Sequence, residues 1–253
     1  MPYQSAVSDY QFIYDQVVPL APVVQTDRFA EATDDLVSAV LSEGGKLCDE
    51  VMAPLQRAGD LTPAKLENGV VRTSPGFAQG FQAIADGGWI GISAAQDHGG
   101  MGLPLAVATA INDMMAGANI ALHLCPLLSQ GQIEALEHHA SADLQDAYLP
   151  NLISGKWTGT MNLTEPHAGS DVGALTSKAE PNSDGSYAIS GQKLFITWGE
   201  HDVAENICHL VLARLPDAVP GPKGISLFLV PKFIPNADGS LGERNDLRCV
   251  SLE

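Results

Sequence analysis

Two stretches of this 253-residue chain combine residue types that suit chemistry on a flat, electron-poor ligand. The first runs from Met161 to Asp171 (MNLTEPHAGSD), where Pro166 and Gly169 constrain a loop that follows a β-forming run. Such a loop exposes backbone N–H groups together with the Thr164 and Ser170 hydroxyls. It can hydrogen-bond a heterocycle or a phosphate without a charged side chain. The second runs from Gly191 to Gly199 (GQKLFITWG), where Phe195, Ile196 and Thr197 place an aromatic, a β-branched residue and a hydroxyl in sequence. A planar cofactor needs that pairing of an apolar wall with a directed donor. The plainer readings are a strand end turned by Pro166 and Gly169 and capped by Ser170 or Asp171, and an ordinary half-buried strand.

Other chemistries lack their residues. There is no phosphate-cradling Gly-x-x-x-x-Gly-Lys-[Ser/Thr], no Gly-x-Ser-x-Gly elbow and no His-Glu-x-x-His. Adjacent His138 and His139 point to different sides of a helix, so no metal ligand is assigned. The glycines after Asp97 (DHGGMG, 97–102) imitate a dinucleotide-binding turn, but the third glycine position is Leu105; a tight turn between helices fits better. Lys and Arg total 13 against 30 Asp and Glu, a net charge of −17. That balance argues against nucleic acid or an anionic membrane as partner. Cys48, Cys125, Cys208 and Cys249 are scattered and read as reduced thiols. With no secretory pattern at the start and no apolar run of spanning length, a cytoplasmic protein is expected.

The elements that must position these stretches follow from periodicity. Apolar residues at three- and four-residue spacing predict a helix over 28–55, ended near Pro54 and the Gly59–Asp60 pair. Further helices are expected over 75–86, 104–115, 130–139 and 143–149, the last stopped by Pro150. After Lys156 the texture changes to β-formers: strands are expected over 157–164, 187–197, 207–213 and 225–230, with a hairpin turn at Asp184–Gly185. Residues 248–253 alternate like another strand, which suggests a polypeptide that continues. The fold class expected is α+β: an all-helical first part followed by an antiparallel β part from about residue 157.

The two motifs, in this order and at this distance, resemble the acyl-CoA dehydrogenase family, whose pattern is Thr-Glu-Pro-x-Ala-Gly-Ser-Asp followed by Gly-x-Lys-x-[Trp/Phe]-Ile-[Thr/Ser]. Asp97 to Gly102 resembles the same family's Glu-x-x-Gly-Gly-x-Gly loop. The first 70 or so residues are similar to the extra N-terminal helices of long relatives, including the 3-methylmercaptopropionyl-CoA dehydrogenase group. The resemblance implies an N-terminal helical extension (1–70), a helical domain (71–156) and a barrel-like antiparallel middle domain (157–253), with a C-terminal helical bundle absent. It implies FAD as cofactor, held by Met161, Asn162, Leu163, Thr164, Gly169, Ser170, Phe195, Ile196 and Thr197. The backbone of Met161–Thr164 and the Thr164 hydroxyl would meet the pyrimidine edge, Phe195 would flank the isoalloxazine, and Thr197 would reach its N5 edge. Ser170 would also touch the acyl-CoA substrate.

The implied reaction is α,β-dehydrogenation of an acyl-CoA thioester to the trans-2-enoyl-CoA, with electrons passed on to an electron-transfer flavoprotein. The family's carboxylate base lies beyond residue 253, so no catalytic residue is assigned here and the chain as given is expected to lack turnover. Homo-oligomers are implied for the full-length protein. Two competing readings are a flavin- and acyl-CoA-binding subunit that needs a partner chain, and an oxidase on the same scaffold.

Overall fold

The computed structural model describes residues 2–236 and 238–252. Short helices α1 (Val7–Phe12) and α2 (Ala21–Val24) lead to α3 (Asp34–Leu47), which opens on Thr33, whose hydroxyl accepts the Leu36 N–H. The helical rod does not end at Pro54. A π-helical turn at Cys48–Met52 joins α3 to α4 (Ala53–Leu61), and Pro54 falls in the first turn after it. In a first turn the missing proline N–H costs little. Next comes a hairpin that the helical reading missed, β1 (Lys65–Glu67) with β2 (Val70–Arg72). Its turn is Asn68–Gly69, both at positive φ, a two-residue pattern that fits the twist of a hairpin.

Helix α5 (Phe77–Asp86) is followed by the glycine-rich loop, which is the tight turn expected and contains no strand. Met101, Gly102 and Leu103 donate their N–H groups back to Gly91, Ala94 and Ile92. Gly100 sits so close that a Cβ there would lie 2.2 Å from the Ala94 carbonyl oxygen.

The two helices expected over 104–115 and 130–139 are one long element, α6 (Leu105–His139), broken at Asn119, where φ is −161° and ψ is 88°. The Asn119 side chain accepts the Leu122 N–H and so caps the second half. By length and composition α6 could cross a membrane. Its Val107, Ile111, Met114, Met115, Leu122 and Ile133 instead form the spine of the core. Tyr3 and Tyr14 strap the N-terminal segment onto it through bonds to the Met114 and Ala106 carbonyls. Helix α7 (Ala142–Ile153) runs past Pro150, because Leu149, Leu152 and Ile153 are buried and their packing outweighs one lost N–H bond.

The β part contains no closed barrel among the described residues. Strand β3 (Trp157–Asn162) pairs parallel to β6 (Asn206–Ala213), and β6 pairs antiparallel to β7 (Ser226–Pro231), giving a three-stranded mixed sheet. The hairpin β4 (Lys178–Pro181) with β5 (Tyr187–Ser190), turned at Asp184–Gly185 as expected, lies in the β3–β6 crossover. A last hairpin joins β8 (Phe233–Pro235) to β9 (Leu241–Arg244). The outer edge of β3 does not continue the sheet: the Gly159 N–H is taken by the Ser129 hydroxyl of α6 at 2.9 Å. Two further expectations fail. Residues 191–197 are not strand, since Gly191 and Phe195 both have positive φ, and residues 248–252 form no strand.

Candidate functional site

Alternation along β3 points Thr158, Thr160 and Asn162 to one face of the sheet, opposite the helical core. That face looks into an open cleft of about 1960 Å³, bounded on the other sides by the Asn119 break of α6, residues 191–201, β7 and residues 245–252. Of the nine residues assigned to cofactor binding, the cleft brings together Asn162, Phe195, Ile196 and Thr197. Met161, Leu163 and Thr164 are half-buried along the end of β3 beside it, while Gly169 and Ser170 are exposed on the loop and outside the cleft lining.

The two motifs are fastened to each other. The Leu194 N–H donates to the Thr164 carbonyl at 2.9 Å, and the Thr160 hydroxyl donates to the Thr197 carbonyl at 2.6 Å. Between these ties Phe195 is 66% exposed at φ 57°, and just beyond them Trp198 has φ 54°. Left-handed backbone in bulky residues costs about 1–2 kcal/mol each, and it persists where the surroundings over-determine it. Trp198 supplies part of that hold: its Nε1 donates to the Ala121 carbonyl at 2.9 Å, and its ring stacks on Phe77.

Beneath the loop lies the main anchor, Glu165. It accepts the N–H and hydroxyl of both Thr176 and Ser177, and Lys193 approaches at 2.9 Å. Burial pushes its carboxyl up, but the Ser177 hydroxyl, the Thr176 and Ser177 N–H groups and Lys193 outweigh that and hold it at about 2. A carboxylate so saturated is an anchor of the loop.

A buried polar cluster on the cleft side escaped the sequence reading. His201 Nδ1 accepts the Val203 N–H, so its proton sits on Nε2 and is donated to the Thr158 hydroxyl at 2.8 Å. Burial, then Lys232 and His209, push His201 down to about 3. His209 is pushed down to about 4 by burial and then Lys232; its Nδ1 lies 3.0 Å from Asn162 Oδ1, and its Nε2 is buried without a partner. Glu200 pairs with Lys232 at 2.5 Å, leaving Oε2 unpartnered. The one signal in the sequence was a histidine inside the apolar run of β6.

A helical layer packs against a small mixed sheet, and a wide open cleft is walled by an exposed aromatic and two cross-tied motifs. A model of the acyl-CoA dehydrogenase N-terminal domain matches residues 46–156, and one of the middle domain matches residues 160–245. The chain belongs to the acyl-CoA dehydrogenase family. It is 46% identical over 253 residues to a 3-methylmercaptopropionyl-CoA dehydrogenase of Ruegeria pomeroyi, covering 100% of this chain and 43% of that protein. It is 35% identical over 257 residues to a butyryl-CoA dehydrogenase of Syntrophomonas wolfei, covering 99% of this chain and 42% of that one. The chain therefore spans less than half the length of either relative. Among solved structures, an FAD complex of PigA superposes with a TM-score of 0.62 at 21% identity, covering 79% of this chain and 51% of that one; at that identity the likeness is one of fold.

Proposed function

We propose that this chain supplies the flavin-facing surface of an FAD-dependent acyl-CoA dehydrogenase that converts an acyl-CoA thioester to the trans-2-enoyl-CoA. The observation that carries the reading is Phe195: an aromatic ring left 66% exposed at a strained φ, beside the exposed Thr197, on a loop tied to the end of β3. The ties around the turn set its backbone, and among the described residues the Phe195 ring stays mostly uncovered. A flat ligand against it would cover it.

The residues present fit FAD. The cleft has the size for a large ligand, Phe195 and Ile196 supply an apolar wall, and Thr197 supplies a hydroxyl next to it. The unpartnered Nε2 of His209 offers a buried acceptor in the same cleft. When bound, FAD would supply a two-electron acceptor. The chain's own residues would orient it, with Phe195 excluding water from one side and the Thr197 hydroxyl donating at the rim. Backbone groups of Met161–Thr164 and the Thr164 hydroxyl would define an edge, and the exposed Gly169 and Ser170 would meet the pyrophosphate arm and the acyl-CoA. Glu165 is consumed by its five donors, and the proton-accepting carboxylate is assigned outside residues 1–253. Electrons would pass to an electron-transfer flavoprotein.

The test is the protein as its gene encodes it, purified and examined for a bound flavin spectrum. It is then assayed with butyryl-CoA and 3-methylmercaptopropionyl-CoA and an artificial electron acceptor. Bound flavin and enoyl-CoA formation are expected, with no turnover from residues 1–253 alone. A flavin-free protein that reduces no acceptor would sink the reading.

A further inference from the structure

Residues 193–201 have no regular secondary structure, yet they hold two bulky residues at positive φ within one turn. What fixes that turn is a set of ties from outside it. The Leu194 N–H reaches the Thr164 carbonyl at one end, and His201 meets the Thr158 hydroxyl at the other. Trp198 is held laterally by the Ala121 carbonyl and by Phe77. In the middle, between Phe195 and Trp198, the tie to the sheet is the Thr160 hydroxyl on the Thr197 carbonyl at 2.6 Å.

Thr158 and Thr160 are two residues apart on β3 and share a face, so their hydroxyls stand roughly 7 Å apart along the strand. The strand thus acts as a ruler that holds the Thr197 peptide and the His201 ring at set positions. Thr160 is 2% exposed, so its hydroxyl has no access to bulk water as a substitute partner. If the turn shifted, a buried donor would be left unmade, which makes the position of Thr197 sharply defined.

We propose that Thr160 is a positioning residue. By donating to the Thr197 carbonyl it sets the pitch of the 195–198 turn, and with it the place of the Phe195 ring and the Thr197 hydroxyl against a planar ligand. The inference rests on reading the cleft as a flavin site, but the tie itself is a property of the ligand-free chain. The two are therefore tested separately.

The variants are Thr160→Val, which keeps the shape and removes the donor, and Thr160→Ser, which keeps the donor. Both are made in the protein as its gene encodes it; if the Val variant does not fold, Thr160→Ala takes its place. The first readout is amide hydrogen exchange over residues 194–201 without ligand. Exchange roughly tenfold faster in the Val variant and native-like in the Ser variant is expected, because a local opening then has one restraint fewer to break. The second is the visible flavin spectrum with kcat and KM: a shifted spectrum and a roughly tenfold lower kcat, with KM little changed, are expected, since misplacement by a fraction of an ångström is costly. Unchanged exchange in the Val variant, or a Ser variant as impaired as Val, overturns the tie. Faster exchange with unchanged spectrum and kcat overturns the positioning role. A wild-type protein that binds no flavin overturns the site reading, and the exchange readout then decides the tie on its own.

Discussion

Glu165 and Lys193 meet at 2.9 Å although they lie 28 residues apart, with side chains 2% and 8% exposed. This ion pair joins the two motifs below the cleft. The partners are not equal. Glu165 also holds the Thr176 and Ser177 N–H and hydroxyl groups, whereas Lys193 has one other acceptor, the Leu163 carbonyl. Glu165→Ala is therefore expected to destabilise by about 3–5 kcal/mol, since it strands a buried ammonium and several donors. Lys193→Met should cost clearly less, because four donors still satisfy the carboxylate. Urea midpoints of the two variants test this; equal losses would contradict it.

Acid should act on the same anchor. Folded Glu165 sits at about 2, below its ordinary value of 4.5, so the stability it contributes is present above 4.5 and is lost as pH falls toward 2. Glu165→Gln should flatten the stability profile in that window, measured by denaturant titration at stepped pH.

A second pH effect begins higher. His123, His201 and His209 are buried and pushed down to about 4, 3 and 4, in each case mainly by burial. Their folded values lie below the ordinary 6.5, so the neutral form is the one that folding favours. Stability from them is present above 6.5 and declines as pH falls toward 4, by about 1.4 kcal/mol per histidine per pH unit. The decline from pH 6.5 to 5 should be shallower in His209→Asn than in the parent. An identical slope would show that His209 is not held neutral.

Phe195 should separate stability from function. Its ring is mostly exposed, so little packing is lost on removal, and its φ of 57° suits Asn better than Phe. Phe195→Asn is expected to keep or raise the melting temperature while weakening flavin retention. A lower melting temperature with unaltered flavin content would reverse the reading of this residue.

At Gly100 the constraint is steric and rests on backbone. A Cβ would approach the Ala94 carbonyl oxygen to 2.2 Å, and backbone cannot swing away as a side chain can. Gly100→Ala should therefore destabilise by more than about 1 kcal/mol, whereas Gly99→Ala meets no atom within 4 Å and is penalised only through its φ of 95°. Thermal unfolding of the pair distinguishes the two mechanisms.

The helical first part and the β second part were legible because they rest on local periodicity: α5, β3, β6 and β7 lie within a residue or two of expectation, and the Asp184–Gly185 turn is where its dipeptide placed it. The Asn68–Gly69 turn carried the same kind of signal and was overlooked inside a helical region. The prolines misled. Pro54 and Pro150 were read as helix stops, but a π-helical turn admits the first and buried leucines carry the helix past the second. The break in α6 falls at Asn119 because that side chain can cap a new helix start, which an apolar period of three and four conceals.

The residue types within the two motifs, and the family they mark, were determined by the sequence itself, since turn-forming Pro166 and Gly169 and the order of Phe195, Ile196 and Thr197 are local. Tertiary structure decided the rest. It made β3 and β6 parallel, where alternation alone cannot give strand direction. It set Phe195 in the left-handed region, joined Glu165 to Lys193, and turned His209 and Glu200 into one cleft. Each of these depends on contacts between residues far apart in the chain, and a short-range pattern carries no record of such a partner.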